Sequence, residues 1–206
     1  MINEELRSLV EERTAWVYND LKAFLYIRMH GLQHQADDIG GGNISSAVVL
    51  FSYLSLLSKV YYLTVHPEKF DAETGEVNEV EAFTAFAKAL KSEGIIQELP
   101  SNGKTLEIMW NGFRNHLAHR FTVEDGKSVL ATVDFRIAES GEPLGLLQEL
   151  ELHCHDEIFR ADENDRNWSV SGDSLHARLP ELSKFVCAKL LYAAEIDKTL
   201  IRKVVG

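Results

Sequence analysis

The chain has 206 residues, 45% of them hydrophobic and 26% charged, which is the composition of a soluble globular protein with a sizeable core. A formal net charge of −11 argues against broad, nonspecific binding to nucleic acids or membranes, so a polyanion partner would need a local basic patch. Cys154 and Cys187 form no metal or redox motif, and the first residues have no signal-peptide pattern. Both observations favour a cytoplasmic protein.

The first helix is predicted over residues 4–28, where apolar residues recur at helical spacing and Asn3 is a suitable N-cap. Residues 30–43 follow as a predicted loop, because three consecutive glycines disfavour a helix. The apolar face of this first helix includes Trp16, and we expect that side chain in the core together with Trp110 and Trp168.

The second helix is predicted to start with a cap at Asn43 or Ser45 and to end near Thr64, before His66-Pro67. Its apolar run, residues 47–63, contains three serines and Lys59. The run is therefore too short and too interrupted for a membrane span, and it predicts a buried helix.

Two further helices are predicted before residue 122. Residues 79–93 place Val80, Phe83, Phe86, Ala87 and Leu90 on one side, and Gly94 ends that helix. The fourth helix runs from Lys104 to about Phe121, with one apolar face made by Leu106, Met109, Trp110, Phe113, Leu117 and Phe121.

The pattern changes after Val123. Alternating apolar residues predict a strand over 128–140, residues 144–156 fit either a helix or a strand, and 157–172 predict a hairpin. A last helix is predicted from about Leu179, with Pro180 in its first turn. The fold class is therefore mainly α: a single domain over 1–206, a bundle of about five helices with a small β element at 128–172 inserted before the last helix.

The fourth helix carries the stretch GFRNHLAHRF, residues 112–121, which we call the motif segment. It gathers two arginines, two histidines and an asparagine within seven residues: Arg114, Asn115, His116, His119 and Arg120. Between Asn102 and Thr122 there is one carboxylate, Glu107, in a chain that has 32. An anion could therefore bind here despite the net charge.

Helix geometry brings part of the motif segment together. At about 100° per residue, Asn115 and His119 lie one above the other and Arg114 flanks them, away from the apolar face. A neutral imidazole can accept a proton near pH 7, and an arginine offers a planar fork that fits phosphate. These residue types suit phosphodiester chemistry. The alternative is that the cations only complement the C-terminal helix dipole, an effect of about 0.3–1 kcal/mol.

The spacing RNHLAH on a late helix of an α bundle resembles the HEPN family signature, in which four to six residues separate an arginine, commonly followed by a polar residue, from a histidine. The resemblance covers roughly residues 4–122 and 175–206. It implies a metal-independent endoribonuclease in which His119 activates the ribose 2′-hydroxyl, Arg114 stabilises the developing charge and Asn115 orients the phosphate or base. It also implies a homodimer that brings two copies of this helix into one cleft, with no cofactor and no metal.

Substrate contacts are expected from the neighbouring donors Arg120, His116 and Lys104. The expected partners are a second copy of the chain, RNA or a nucleotide, and an antitoxin protein, in a toxin–antitoxin or phage-defence setting and with no membrane. Toxin members of the family often carry a tyrosine where this chain has Phe121, so regulation through that hydroxyl is not expected. The alternative function is a catalytically silent HEPN-like module that binds a nucleotide, RNA or protein. A third reading, weaker than these two, is a helical scaffold whose motif segment only stabilises the dimer.

One other cluster has metal-ligand character. If residues 153–157 form a strand, His153 and His155 share a face, as some metal sites require. The segment is acidic and supplies no third ligand, so a metal site is not the preferred interpretation.

Overall fold

Five α-helices contain most of the residues that the computed structural model describes, which are 2–31, 41–69, 76–111, 159–161, 168–170 and 172–193. The protein is mainly helical, as its apolar periodicity predicts. The helices are α1 (Ile2–Gly31), α2 (Gly41–Val65), α3 (Glu79–Ser92), α4 (Gly103–Trp110) and α5 (Gly172–Tyr192), and a 3₁₀ turn (Pro67–Lys69) follows α2. Helix α1 packs along α5, α2 packs on both α3 and α5, and α4 packs on α3.

Helix α1 begins one residue before Asn3, so the predicted N-cap is wrong. The Asn3 side chain instead donates from Nδ2 to the backbone oxygens of Leu190 and Ala193, at 3.0 and 3.2 Å. The last carbonyls of a helix have no donor within the helix, and Asn3 supplies one to the end of α5. The two ends of the described chain are therefore joined by a side chain.

The buried face of α1 excludes Trp16, contrary to the core prediction. Leu6, Val10 and Leu21 are buried, whereas Trp16 is 51% exposed. The steps between the buried residues follow one helical face, and Trp16 lies well to its side. The Arg13 guanidinium lies 4.9 Å from the centre of the Trp16 ring and covers part of it.

Helix α2 begins earlier than predicted. Gly41 and Gly42 belong to its first turn, so neither the predicted loop up to residue 43 nor a cap at Asn43 or Ser45 is correct. Each glycine costs only about 1 kcal/mol in a helix, and packing of the following apolar residues can offset that. The helix ends at Val65, directly before His66-Pro67, as predicted.

The apolar run of α2 is the centre of the core. Leu50, Phe51, Leu54, Leu57 and Val60 are almost completely buried. By length and composition the described window Val48–Val65 could cross a membrane, so shortness does not exclude a span. However, 61% of that window is buried inside the protein, as in the core helix of a soluble protein.

Three polar side chains that this core encloses, those of Thr14, Tyr53 and Ser58, make hydrogen bonds. The Ser58 hydroxyl donates to the Leu54 carbonyl at 2.6 Å, and the Thr14 hydroxyl donates to the Val10 carbonyl at the same distance. The Tyr53 hydroxyl contacts Thr14 and donates to the Val10 carbonyl, and burial raises the pKa of Tyr53 to about 12. The contacts of the Tyr53 hydroxyl join α2 to α1 in the interior.

Helix α3 matches its prediction at both ends. The Asn78 side chain accepts hydrogen bonds from the backbone N–H groups of Val80 and Glu81, and Gly94 follows the helix with φ of +74°. That positive φ is readily adopted by glycine and explains why the helix stops there. The buried residues are Ala82, Phe83, Phe86, Ala87 and Leu90.

Helix α5 begins at Gly172, seven residues before the predicted start, and Pro180 lies inside the helix instead of in its first turn. The buried leucines at 175 and 179 extend the same apolar face toward the N-terminus. Because proline has no N–H, the carbonyl of residue 176 lacks its usual partner in the helix. The prediction placed Pro180 in the first turn, where proline is common, and so missed the turns before it.

A short antiparallel pair of strands, β1 (Phe159–Ala161) and β2 (Trp168–Val170), precedes α5. Phe159 is opposite Val170, and Ala161 is opposite Trp168. The pair falls within the predicted hairpin. The connection between the strands and residues 128–158 lie outside the described residues.

We expect Asn78→Ala to lower the free energy of unfolding by about 1 kcal/mol, because two N–H groups of α3 lose their acceptor. Asn78→Ser, which keeps an oxygen for these groups, should retain most of the stability. Urea unfolding of the three proteins measures the difference. Equal losses in both variants would contradict the capping role.

Candidate functional site

The predicted site residues divide sharply between described and undescribed parts of the chain. Lys104 is described, near the start of α4. The remaining site residues, together with His153 and His155, lie outside the described residues: Arg114, Asn115, His116, His119 and Arg120. What the structure describes is therefore the part of the fourth helix that leads into the motif segment.

Asn102 caps the start of helix α4. The Asn102 side chain accepts a hydrogen bond from the Lys104 backbone N–H at 2.9 Å, and its carbonyl accepts one from the Leu106 N–H at 3.1 Å. Asparagine is among the most favourable N-cap residues because its side-chain oxygen satisfies such free N–H groups. The predicted start at Lys104 is correct to within one residue.

An aromatic stack anchors α4 to the bundle. Leu106 and Trp110 are almost completely buried. The Trp110 ring stacks on Phe83 of α3, with centroids 4.3 Å apart and planes inclined by 22°, and it meets Phe51 of α2 at 6.2 Å. We call Trp110, Phe83 and Phe51 the aromatic anchor. It fixes the position and rotation of α4 close to the motif segment.

The Trp110 indole has an unusual environment. Among the described residues no acceptor lies within hydrogen-bonding distance of its buried Nε1. A buried N–H without a partner costs about 1–3 kcal/mol. Tryptophan occupies this position although its Nε1–H makes no hydrogen bond to the described residues. The ring's large apolar area accounts for its place in the anchor.

The helix changes character directly after the anchor, because Asn111 belongs to a π-type turn. Such turns occur mostly as single insertions in α-helices and frequently at functional sites. The wider turn interrupts the 100° step on which the predicted orientation of Arg114, Asn115 and His119 depends. Their position away from the apolar face therefore stays a prediction.

The start of α4 is locally basic on its exposed side. Lys104 is exposed, and Lys88 of α3 lies beside Gly103, where a methyl group on the glycine would come 3.5 Å from its Nζ. Sequence reasoning identified Lys104 and missed Lys88, because Lys88 reaches Gly103 only through the turn between α3 and α4. Ten residues separate Lys104 from Arg114, about 15 Å along a regular helix.

The other reactive side chains in the described residues do not form a second site. No group of three or more potential metal ligands occurs among them. Cys187 is buried against the Arg7 carbonyl, and burial raises the pKa of its thiol, which disfavours the reactive thiolate.

Comparisons of the chain with protein-family models, curated proteins and solved structures find no match.

We expect Leu106→Ala to lower the free energy of unfolding by about 2–5 kcal/mol, since it removes a completely buried side chain from the contact between α4 and the core. Glu107→Ala changes the next, exposed residue of the same helix and should shift stability by less than about 0.5 kcal/mol. Urea unfolding compares the two. If Leu106→Ala is as stable as Glu107→Ala, α4 is not anchored in the way described here.

Proposed function

We propose that the protein is a HEPN-like homodimer that cleaves RNA without a metal ion, acting in the cytoplasm in a toxin–antitoxin or phage-defence setting. The observation that carries the proposal is the Arg114–Asn115–His119 spacing in the sequence, in the segment that directly follows α4, a helix anchored by the buried Leu106 and Trp110. The capped start of α4 and the aromatic anchor support it, because a catalytic group must be held in place by a rigid scaffold.

The proposed reaction uses the residues of the motif segment in distinct roles. His119 takes the proton from a ribose 2′-hydroxyl, and the 2′-oxygen forms a bond to the adjacent phosphorus. The bond from phosphorus to the 5′-oxygen breaks, leaving a 2′,3′-cyclic phosphate and a free 5′-hydroxyl. Arg114 stabilises the negative charge on the phosphoryl oxygens, and Asn115 orients the phosphate or the base.

The reaction needs an acid as well as a base. The leaving 5′-oxygen must receive a proton, and one neutral histidine cannot supply it at the same moment. A two-fold dimer places a second His119 and a second Arg114 in the same cleft, so that one imidazole accepts a proton while the other donates one. Homodimerisation is therefore part of the proposed mechanism.

Substrate affinity would come from the donors around the catalytic group. Arg120 and His116 lie within the motif segment, and Lys104, with Lys88 beside the same helix start, adds positive charge farther along α4. These contacts would bind the phosphate backbone of RNA and hold it in register without reading its sequence.

A second candidate is a catalytically silent HEPN-like module that binds a nucleotide, RNA or protein. The net charge of −11 favours its nucleotide- or protein-binding forms, because an acidic chain binds long nucleic acids weakly. The two functions differ in RNA cleavage. An enzyme cleaves RNA and loses this activity when His119 is removed, whereas a binding module leaves RNA intact with or without His119.

With EDTA present, we expect the wild-type chain to cleave a mixed set of RNAs and His119→Ala to be slower by about 10²–10⁴-fold, the usual contribution of a general base or acid. Arg114→Ala should also be impaired. His66→Ala is the matched histidine control, because His66 is partly exposed after α2 and should leave cleavage unchanged. Product termini are identified by mass spectrometry. Intact RNA with every protein would favour the binding module, and equal cleavage by wild type and His119→Ala would exclude the assigned base.

We expect Lys104→Ala to weaken RNA binding by a similar factor for every sequence, because a phosphate contact carries no sequence information. The slope of log affinity against log salt should fall by about 0.7, the value for one contact with a single strand. Lys184→Ala removes an exposed lysine from α5 and provides the control. Fluorescence anisotropy at several salt concentrations measures both slopes. Identical slopes for Lys104→Ala and wild type would show that Lys104 does not contact the RNA.

A further inference from the structure

The N-terminal part of α5 is held to α1 by an unusual buried histidine. His176 is 1% exposed, and its ring stacks on Tyr18 with centroids 4.4 Å apart and planes inclined by only 8°. Its Nε2 donates to the Tyr18 backbone oxygen at 2.9 Å. Both contacts reach the same residue of α1, so His176 is a specific link between the two helices.

The other ring nitrogen has no comparable contact. Nδ1 of His176 is buried and has no hydrogen-bond partner among the described residues. With Nε2 carrying the hydrogen, the neutral ring needs no proton on Nδ1. A second proton would place a charge and an unpaired N–H in the interior, which is strongly unfavourable.

The charges around His176 also disfavour protonation. Burial lowers the pKa of His176 from its ordinary value of 6.5. The hydrogen bond to the Tyr18 carbonyl acts in the opposite direction, and the ammonium of Lys22, which lies over the Tyr18 ring, lowers the pKa further. Arg178 and Glu181 on α5 pair with each other at the surface. The titratable side chains of the described part of α2 contact groups other than His176: Tyr53, Lys59, Tyr61 and Tyr62. In the described residues no carboxylate pairs with the imidazole.

Pro180 weakens the helix at the same place. It lacks the N–H that would bond to the His176 carbonyl, so the ladder of hydrogen bonds along α5 is interrupted between residues 176 and 180. Interruptions of this kind let a helix bend. The first turns of α5 are thus joined less firmly to the rest of their own helix, and the His176 side chain joins them to α1.

We propose that residues 172–179 of α5 form a latch on α1 that is closed while His176 is neutral and opens when His176 takes up a proton below neutral pH. Opening exposes the imidazole to water. The ring can then bind the proton that is unfavourable in the interior. The open state is therefore favoured increasingly as the pH falls. The device rests on the α1–α5 contact and does not depend on the ribonuclease proposal. β2 ends at Val170, two residues before α5 begins, so residues 172–179 are also the first part of α5 after the two strands.

The direction of the pH effect follows from proton linkage. The closed state has a lowered pKa, whereas the exposed histidine of the open state has a pKa near 6.5. Above that pH the two states bind the same number of protons and the latch is most stable. As the pH falls below 6.5, only the open state binds a proton, and the stability of the closed state declines. Between pH 7.5 and 5.5 the open fraction should rise by up to about tenfold.

Amide hydrogen exchange read by mass spectrometry tests the latch, with labelling times scaled to the intrinsic exchange rate at each pH. In the wild-type chain, peptides over 172–179 should exchange up to about tenfold faster at pH 5.5 than at pH 7.5 after scaling. Peptides over 182–190, in the same helix beyond Pro180, should show no such increase. An unchanged rate over 172–179 would overturn the proposal, as would an equal increase over 182–190.

Two variants assign the effect to His176. His176→Gln can still donate to the Tyr18 carbonyl, and His176→Phe keeps an aromatic ring against Tyr18; neither titrates, so both should lose the pH dependence. His66→Gln, the matched change of a surface histidine, should retain it. Persistence of the acid-induced increase in His176→Gln, or its loss in His66→Gln, would contradict the assignment. If neither His176 variant folds at pH 7.5 by circular dichroism, the assigned His176 resonance of the wild-type chain is titrated by NMR. A midpoint below 6.5 is then expected, and one at or above 6.5 would overturn the latch.

Discussion

The stacking of Trp110 on Phe83 is the contact on which the candidate site depends, because it joins α4 to the rest of the bundle. Phe51 extends the contact to α2, and Tyr61 of α2 stacks on Phe185 of α5, so aromatic rings connect four of the five described helices. Each aromatic pair adds about 0.5–1.5 kcal/mol beyond the burial of its surface. An error of 1 Å in the placement of a catalytic group can reduce the rate about a hundredfold. A helix anchored within one turn of the motif segment is well suited to hold such a group.

The elements that the sequence predicted correctly are those with local signals. Gly94 ends α3 because its positive φ acts directly at the helix end. His66-Pro67 ends α2 for the same kind of reason, since proline restricts the residue before it. The starts of α3 and α4 were predicted to within one residue from apolar periodicity, and the structure adds Asn78 and Asn102 as their caps. The mainly α fold class was predicted from apolar periodicity. This signal is reliable because the burial of one face of each helix stabilises the bundle.

The incorrect predictions involve contacts between residues far apart in the chain. Asn3 looks like an N-cap, but its partners are carbonyls at the end of α5. Pro180 looks like a helix start, but the buried Leu175 and His176 extend α5 past it. No residue near His176 in the sequence indicates that it contacts Tyr18, which lies 158 positions away in the chain. The same limit applies to Lys88, whose position beside Gly103 results from the turn between α3 and α4. The motif residues 114–120 lie outside the described residues, so their placement rests on sequence alone.

The acidity of the chain is compatible with an RNA site if the site's own charges are close enough to dominate. At physiological salt the screening length is about 8 Å, so exposed carboxylates elsewhere on the protein contribute little at a phosphate bound to α4. The described start of α4 carries Lys104 and the neighbouring Lys88 against Glu107, and the motif segment adds two arginines and no carboxylate. Repulsion by the remaining surface would slow the approach of a long RNA and favour short or single-stranded segments that reach the local cations. Under the proposed function, the net charge would therefore affect which RNA reaches the site and how fast, whereas the chemistry would be decided by the side chains within one screening length of the phosphate.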